Sequence, residues 1–378
     1  MTNVTSSARL YSLSTALPPF TATQEHSLHF MQRVIEASAG PDEVDRALMF
    51  LEAIHESCGI ERRYSAIEDF TRDNAEDFSF FPKNWALAPV PSTAKRMELF
   101  EPVSMALCEE ASRKALVGAG VKAGEVTHLI VATCTGLYAP GPDILLVKRL
   151  GLGASTRRTV IGFMGCYAAF TGLRMAEQII AADPEAVVLQ VCVELCSLHY
   201  QRSFEPQTII GNCLFGDGCA AAVWAGRDRF EGGLADLVTS HCEISHDSLD
   251  QMQWHVGDEG FLMHLDVEVP QTLRRGGAAF IDTLCRRAKI AVSDVQDWAV
   301  HPGGPKIVDA VRDAAGLEEH DVAISRSVLR DYGNMSSATA LFVLERQLAA
   351  RRRGGPLVLL GFGPGLTMEG AVMLSTAP

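Results

Sequence analysis

Apolar residues recur along the chain in two alternating rhythms. Residues 25–56 carry them at helical spacing, with a break at Gly40-Pro41. Residues 57–100 lose the period. They are rich in aromatic side chains (Tyr64, Phe70, Phe78, Phe80, Phe81, Trp85), with prolines at 82, 89 and 91, and predict a long covering segment. From Glu101 onward, helix-period stretches alternate with short apolar runs predicted as strands. The first series is THLIVAT, RTVIGF, AVVLQVCVE and CAAAVWAG; the second is DWAVHP, HDVAIS, PLVLLGF and GAVMLS. Strands alternating with helices predict α/β layers. GRDRFEGG interrupts the pattern near 226–235 and divides the chain into residues 1–230 and 231–378.

The two series repeat each other. AGVKAGEVTHLIV (119–131) aligns without a gap on AKIAVSDVQDWAV (288–300). Gly141-Pro142-Asp143-Ile144 then matches Gly304-Pro305-Lys306-Ile307, each opening a helix that ends in Gly-Leu. GCYAAFTGLRMAEQIIA (165–181) lies over GNMSSATALFVLERQLA (333–349), and AVVLQV over PLVLLG; GDGCAAAV is matched by MEGAVML. Matches kept in order imply a duplicated βαβ unit whose halves pack about a pseudo-two-fold axis. Cys166 and Asn334 are then equivalent, each following a glycine at the start of a long helix. His301 ends the strand equivalent to the one before Cys134. The three residues are predicted to converge.

Composition narrows the class. The chain has 378 residues, 47% hydrophobic and 21% charged, with a net charge of −13. That is a globular composition, and the acidic balance argues against nucleic acid or anionic lipid as partners. No apolar run reaches the length of a membrane span, and the N-terminal segment lacks the pattern of a secretory signal, so a cytoplasmic location is expected. The ten cysteines have no CxxC spacing and several lie inside apolar runs, as reduced cytosolic thiols do. No metal site is expected.

Context singles out Cys166 among them. A cysteine between a strand and a helix meets free N–H groups and the positive end of the dipole, which favour thiolate. Gly162 and Gly165 permit the tight turn. His301 could activate the thiol, and Asn334 with His301 could hold an oxyanion. Such a set, without a carboxylate base or metal, suits acyl-thioester exchange or decarboxylation of a malonyl thioester. Papain-like proteolysis uses the same residue types on an unrelated fold. GFGPG (361–365) is followed by another strand-like run and reads as a tight cavity-lining loop, not as a dinucleotide site.

VIGFMGCYAAFTGLR, LFGDGCAAAV, WAVHPGGPKI, DYGNMSSATALFVLE and GFGPGLTMEG together resemble the chalcone synthase family, the type III polyketide synthases, of bacterial type. The resemblance spans residues 5 to 375. It implies a thiolase-like duplicated αβαβα layered fold, a homodimer with Tyr138–Gly141 at its seam, no cofactor, and a Cys166–His301–Asn334 triad. A gatekeeper Phe falls on Phe215. Ala139 stands where plant enzymes carry a Met that crosses the dimer. Met263 replaces a second aromatic gatekeeper, Trp254 a small glycine, and His199 and Cys134 two threonines of the cavity. With Thr135, Cys213, Gly363, Pro364 and Gly365 these are the candidate substrate-binding positions. The family's basic grip on CoA falls on Phe50, Ala53 and Ser57, so Arg62, Arg63 or Lys306 is expected to replace it, or the donor rides on an acyl carrier protein. The implied reaction is iterative decarboxylative condensation of malonyl-CoA onto an acyl starter, expected to be fatty acyl, held on Cys166, then cyclisation to an alkylresorcinol or alkylpyrone. The expected side tunnel for its tail is lined by Cys134 and Cys213. The alternative is a single condensation giving a linear β-keto product.

Overall fold

A computed structural model describes residues 8–351 and 354–376. Its strands are β1 (Ala8–Ala16), β2 (Phe20–Thr23), β3 (Arg62–Ser65), β4 (His128–Thr133), β5 (Arg157–Gly162), β6 (Val187–Leu195), β7 (Asp217–Gly226), β8 (Ala235–Ile244), β9 (Met252–Gly257), β10 (Gly260–Leu265), β11 (Asp297–Val300), β12 (Gly355–Gly363) and β13 (Thr367–Ser375). Its helices are α1 (Gln24–Ser38), α2 (Pro41–Ser57), α3 (Thr93–Ala119), α4 (Pro142–Leu150), α5 (Ala168–Ala182), α6 (Pro206–Leu214), α7 (Val269–Arg287), α8 (Pro305–Ala315), α9 (Ala323–Tyr332) and α10 (Thr339–Ala350).

Nine strands form one mixed sheet in the order β11-β12-β13-β8-β1-β7-β6-β4-β5. Outward from the β1–β8 seam the two sides match. β7 and β13 pair antiparallel to the seam strands, β6 and β12 antiparallel to those, and β4 and β11 parallel to the last. The seam is short, with Arg9 opposite Asp236 and Leu10 opposite Ala235.

Both faces of the sheet are covered, which is why its strands read as continuous apolar runs rather than alternating ones. In β6, Val187, Leu189, Val191 and Val193 join an outer core with α1 and α3, while Val188 and Cys192 turn inward. In β12, Leu357 and Leu359 turn inward, while Val358 and Leu360 pack outward on α7 and α8. The inward side chains of both halves enclose α5 and α10. This is helix, sheet, helix, sheet, helix: the layered α/β architecture expected.

Three readings need correction. The α3 helix starts at Thr93 and runs through Pro102, so the irregular segment is shorter than expected. HDVAIS is no strand: Glu319–Val322 is a 3-10 turn that opens α9. The seam strands β1 and β8 and the β9–β10 hairpin were not anticipated. The aromatic segment does act as a cover, with Phe70, Phe78, Phe81 and Trp85 packing around Phe30 of α1 at 4.8–5.9 Å between ring centres.

Candidate functional site

Cys166 sits in a turn built for close approach. After β5 the chain takes left-handed conformations at Phe163 (φ 55°) and Gly165 (φ 66°), then a 3-10 turn over Gly165–Tyr167 opens α5. A Cβ on Gly165 would come within 2.5 Å of Pro364 Cδ, so the GFGPG loop presses directly on this turn. Gln190 of β6 steadies the helix start by donating to Ala169 O at 2.7 Å. Arg174 of α5 bonds the buried Glu369 of β13, tying the helix to the other half.

His301 follows β11, and its backbone N–H donates to Leu360 O of β12 at 2.8 Å. The ring is 1% exposed, and neither nitrogen has a partner among the described residues. Burial alone lowers it to about 3, so it rests as neutral imidazole.

Asn334 is held at backbone and side chain. Its N–H donates to Leu214 O at 2.8 Å and its carbonyl accepts from Gly216 N at 2.9 Å, a bridge that joins it to Phe215. Oδ1 accepts from Ser336 N at 2.9 Å and Thr339 Oγ1 at 3.3 Å. With Oδ1 occupied, Nδ2 faces Gly303 O at 3.3 Å and the Cys166 sulfur at 4.0 Å. An amide so fixed presents a donor where an oxyanion would form.

The thiol is not pre-ionised. Burial pushes Cys166 up to about 11, against the lowering effect of hydrogen bonds from Ser336 and Asn334. The helix-start effect expected from sequence is outweighed by desolvation.

Cys166, His301 and Asn334 line one cavity of about 70 Å³. Cys134, Thr135, Pro364, Met252, Leu265 and Phe362 complete much of its wall, which is predominantly apolar. A second cavity of about 290 Å³ lies beside it, reaching Met31, Phe70, Tyr200 and Ser203. Cys196, Phe215, Trp254 and Met263 line both. Trp254 and Met263 are direct cross-strand partners on the β9–β10 hairpin, so one pair of a hairpin forms much of the partition. The Trp254 indole N–H donates to Cys134 O at 2.7 Å. Gly211 makes room for Met263, since a Cβ there would lie 2.7 Å from Met263 Cε.

The remaining candidates divide. His199 lines the larger cavity, but its ring is spent on structure. Nε2–H donates to Thr135 O at 2.8 Å and Nδ1 accepts from Phe261 N at 3.0 Å, with Phe261 stacked at 4.1 Å. Burial lowers it to about 3. Cys213 lines neither cavity; it is buried in the outer core on α6, so the expected tunnel wall of Cys134 and Cys213 is incorrect. Ala139 is exposed on the loop before α4 and touches neither cavity within one chain. Gly363 and Gly365 flank the lining Pro364 without lining themselves, and Lys306 is exposed at the start of α8. Arg62 is exposed beside Asp331 at 4.0 Å. Arg63 points inward, bonded to Asn212 O and Phe215 O, and is no surface grip.

Sequence reasoning missed Glu194 and Ser336. Glu194 is fully buried and accepts from Cys134 N (3.0 Å), Thr135 Oγ1 (2.7 Å) and Ser337 Oγ (2.5 Å), uniting the Cys134 and Asn334 segments. Burial raises it above the usual carboxylate range, against those bonds. A carboxylate inside the apolar run VVLQVCVEL was the available signal. Ser336, at a strained φ of 47°, sits 3.3 Å from the Cys134 sulfur.

Comparison with known proteins gives this arrangement its family. Residues 2–228 match the N-terminal domain, and residues 236–377 the C-terminal domain, of chalcone and stilbene synthases. The chain is 34% identical over 287 residues to the alpha-pyrone synthesis polyketide synthase-like Pks18 of Mycobacterium tuberculosis, covering 74% of this chain and 73% of that protein. Its fold superposes on PKS-I of the brown alga Ectocarpus siliculosus (TM-score 0.89, 30% identity, 98% and 99% covered). It also superposes on the 1,3,6,8-tetrahydroxynaphthalene synthase of Streptomyces coelicolor, a bacterial type III polyketide synthase (TM-score 0.84, 28% identity, 98% and 100% covered). The chain belongs to the chalcone and stilbene synthase family and is a type III polyketide synthase, an acyl-transferring enzyme.

Proposed function

We propose that this enzyme extends a fatty acyl starter held on Cys166 by iterative condensation with malonyl-CoA, then cyclises the chain to an alkylresorcinol or alkylpyrone. The observation that carries the reading is the convergence of Cys166, His301 and Asn334 on one small apolar cavity opening beside a larger one. Neutral His301 accepts the Cys166 proton as the sulfur attacks the starter thioester. CoA leaves as its thiol, taking that proton back from His301, and the acyl group stays on sulfur. Malonyl-CoA then loses CO2. Asn334 Nδ2 and the N–H of neutral His301 stabilise the enolate, whose carbon attacks the acyl-enzyme carbonyl and displaces the Cys166 sulfur. Desolvation strengthens both donors in so enclosed a site.

Support for a long starter comes from Met31, Phe70, Phe261 and Met263 along the larger cavity. Each buried CH2 contributes about 0.8 kcal/mol, so a chain reaching that space outcompetes a short one. Homodimerisation through the Tyr138–Gly141 loop, where Ala139 and Pro140 are exposed, a cytoplasmic location, and division near residue 230 into a Cys166 half and a His301–Asn334 half belong to the same proposal. The mirrored strand order supports that division.

The test is a panel of acyl-CoAs with malonyl-CoA, read by mass spectrometry. Products two or three C2 units longer than a C10–C18 starter are expected, with none from Cys166→Ala. Polyketide formation by Cys166→Ala would overturn the assignment of the nucleophile. A higher kcat/KM for acetyl-CoA would overturn the starter.

A further inference from the structure

We propose that Arg63 is a positioning residue that sets starter selection by clamping Phe215 and, through it, the Asn334 segment. The inference rests on the reading of the site given above.

Arg63 lies on β3 opposite Ala22, far in sequence from everything its side chain holds. Its Nη1 donates to Asn212 O at 2.5 Å and to Phe215 O at 2.9 Å. These carbonyls belong to the last turn and C-cap of α6, where the helix has no N–H groups left to satisfy them. A guanidinium there also meets the negative end of the helix dipole. Its stem lies against the two glycines beside the clamped residues. A Cβ on Gly333 would meet Arg63 Cγ at 2.9 Å, and one on Gly216 would meet Arg63 Cβ at 3.5 Å. Gly333 is left-handed (φ 72°) and immediately precedes Asn334. One side chain thus underlies the point where Phe215 and Asn334 are bridged.

The charge is not spent on a carboxylate. The nearest acid, Asp217, accepts instead from Ala66 N (2.7 Å), Ser197 N (2.7 Å) and Ser197 Oγ (2.6 Å), and Arg63 forms no ion pair among the described residues. Burial accordingly lowers the Arg63 pKa. A half-buried arginine that lines the larger cavity and is held by carbonyls alone loses hydration without gaining a counter-charge. Its return is geometric: it fixes the backbone of Phe215, which with Trp254 is one of two aromatic residues that line both cavities. A lysine keeps the charge but loses the rigid planar guanidinium whose Nη1 is held between two carbonyls.

The experiment compares wild type, Arg63→Lys, Phe215→Ala and the double variant. Acylation rates of Cys166 by decanoyl-CoA and acetyl-CoA are followed by intact-protein mass, so no condensation is needed. Arg63→Lys should move the decanoyl-to-acetyl rate ratio about tenfold toward unity. On the Phe215→Ala background it should leave that ratio unchanged, because Arg63 acts through Phe215. An unchanged ratio in Arg63→Lys, or the same change on both backgrounds, overturns the proposal and leaves Arg63 a stabilising residue only. Absence of acylation in the wild type overturns the reading of the site itself, and this proposal with it.

Discussion

Replacing Trp254 by alanine should turn two cavities into one. The indole stands between spaces of about 70 and 290 Å³. Its N–H bonds Cys134 O at 2.7 Å, and its ring meets His199 and Phe261 edge-on at 5.7 and 5.9 Å. Losing that hydrogen bond costs about 0.5–1.5 kcal/mol. Truncating a fully buried Trp costs about 3–5 kcal/mol, and a half-buried one about 1–3. The variant should therefore fold with a lowered Tm. The space released lies on the path from Cys166, so a longer starter gains burial there. At about 0.8 kcal/mol per CH2, each added methylene raises kcat/KM about fourfold, until the joined cavity is full. The assay is kcat/KM across a ladder of acyl-CoAs from C2 to C18, with product masses recorded for each. Trp254→Phe is the control: it keeps an aromatic ring on the partition but loses the donor and part of the indole's bulk, so it should lower stability and shift the preferred length less than Trp254→Ala. A preferred length in Trp254→Ala equal to that of wild type, with Tm lowered, would refute the reasoning and show that the cavities are not joined past this side chain.

Three other outcomes follow from the geometry. Asn334→Ala removes the fixed Nδ2 donor facing Cys166 and should lower malonyl-CoA decarboxylation about 10²–10³-fold; Cys166 acylation should fall less, and equal losses would argue for a general structural defect. Gly165→Ala combines a left-handed φ of 66° with a Cβ 2.5 Å from Pro364 Cδ. The conformation alone costs about 1–2 kcal/mol, so a Tm and activity within error of wild type would contradict the assigned turn. Burial lowers His55 to about 4 and His199 and His301 to about 3, below their usual 6.5. Their stabilising contribution is complete above pH 6.5 and is lost as pH falls toward 4–3, because the unfolded chain then binds the protons the folded one refuses. Asp217, raised to about 6, acts in the opposite direction between its two values. Urea unfolding followed from pH 7 to 4 reads the sum of these groups. His199→Gln should reduce the slope near pH 5 by about one proton, or about 1.4 kcal/mol per pH unit; an unchanged slope would mean His199 titrates normally.

Much of the architecture was legible because it is locally encoded and written twice. The apolar runs, the Gly-Cys and Gly-Asn helix starts and the Gly-Pro openings of α4 and α8 recur in order. Duplication alone therefore places Cys166, His301 and Asn334 together. Periodicity states that a face is buried but not what it meets. Whether a side chain lines a cavity depends on contacts between distant segments: Trp254 reaches Cys134 across 120 positions, and Arg63 reaches Phe215 across 152. Cys213 reads like a cavity residue and is core, while Arg63 reads like a surface cation and is a half-buried clamp on the backbone. HDVAIS has the composition of a strand and became a turn and helix, because packing against neighbouring elements overrides a six-residue propensity. The state of the thiol was likewise decided by the fold. The helix start favours thiolate, but enclosure in an apolar cavity desolvates the sulfur, and only the tertiary structure sets the balance between them.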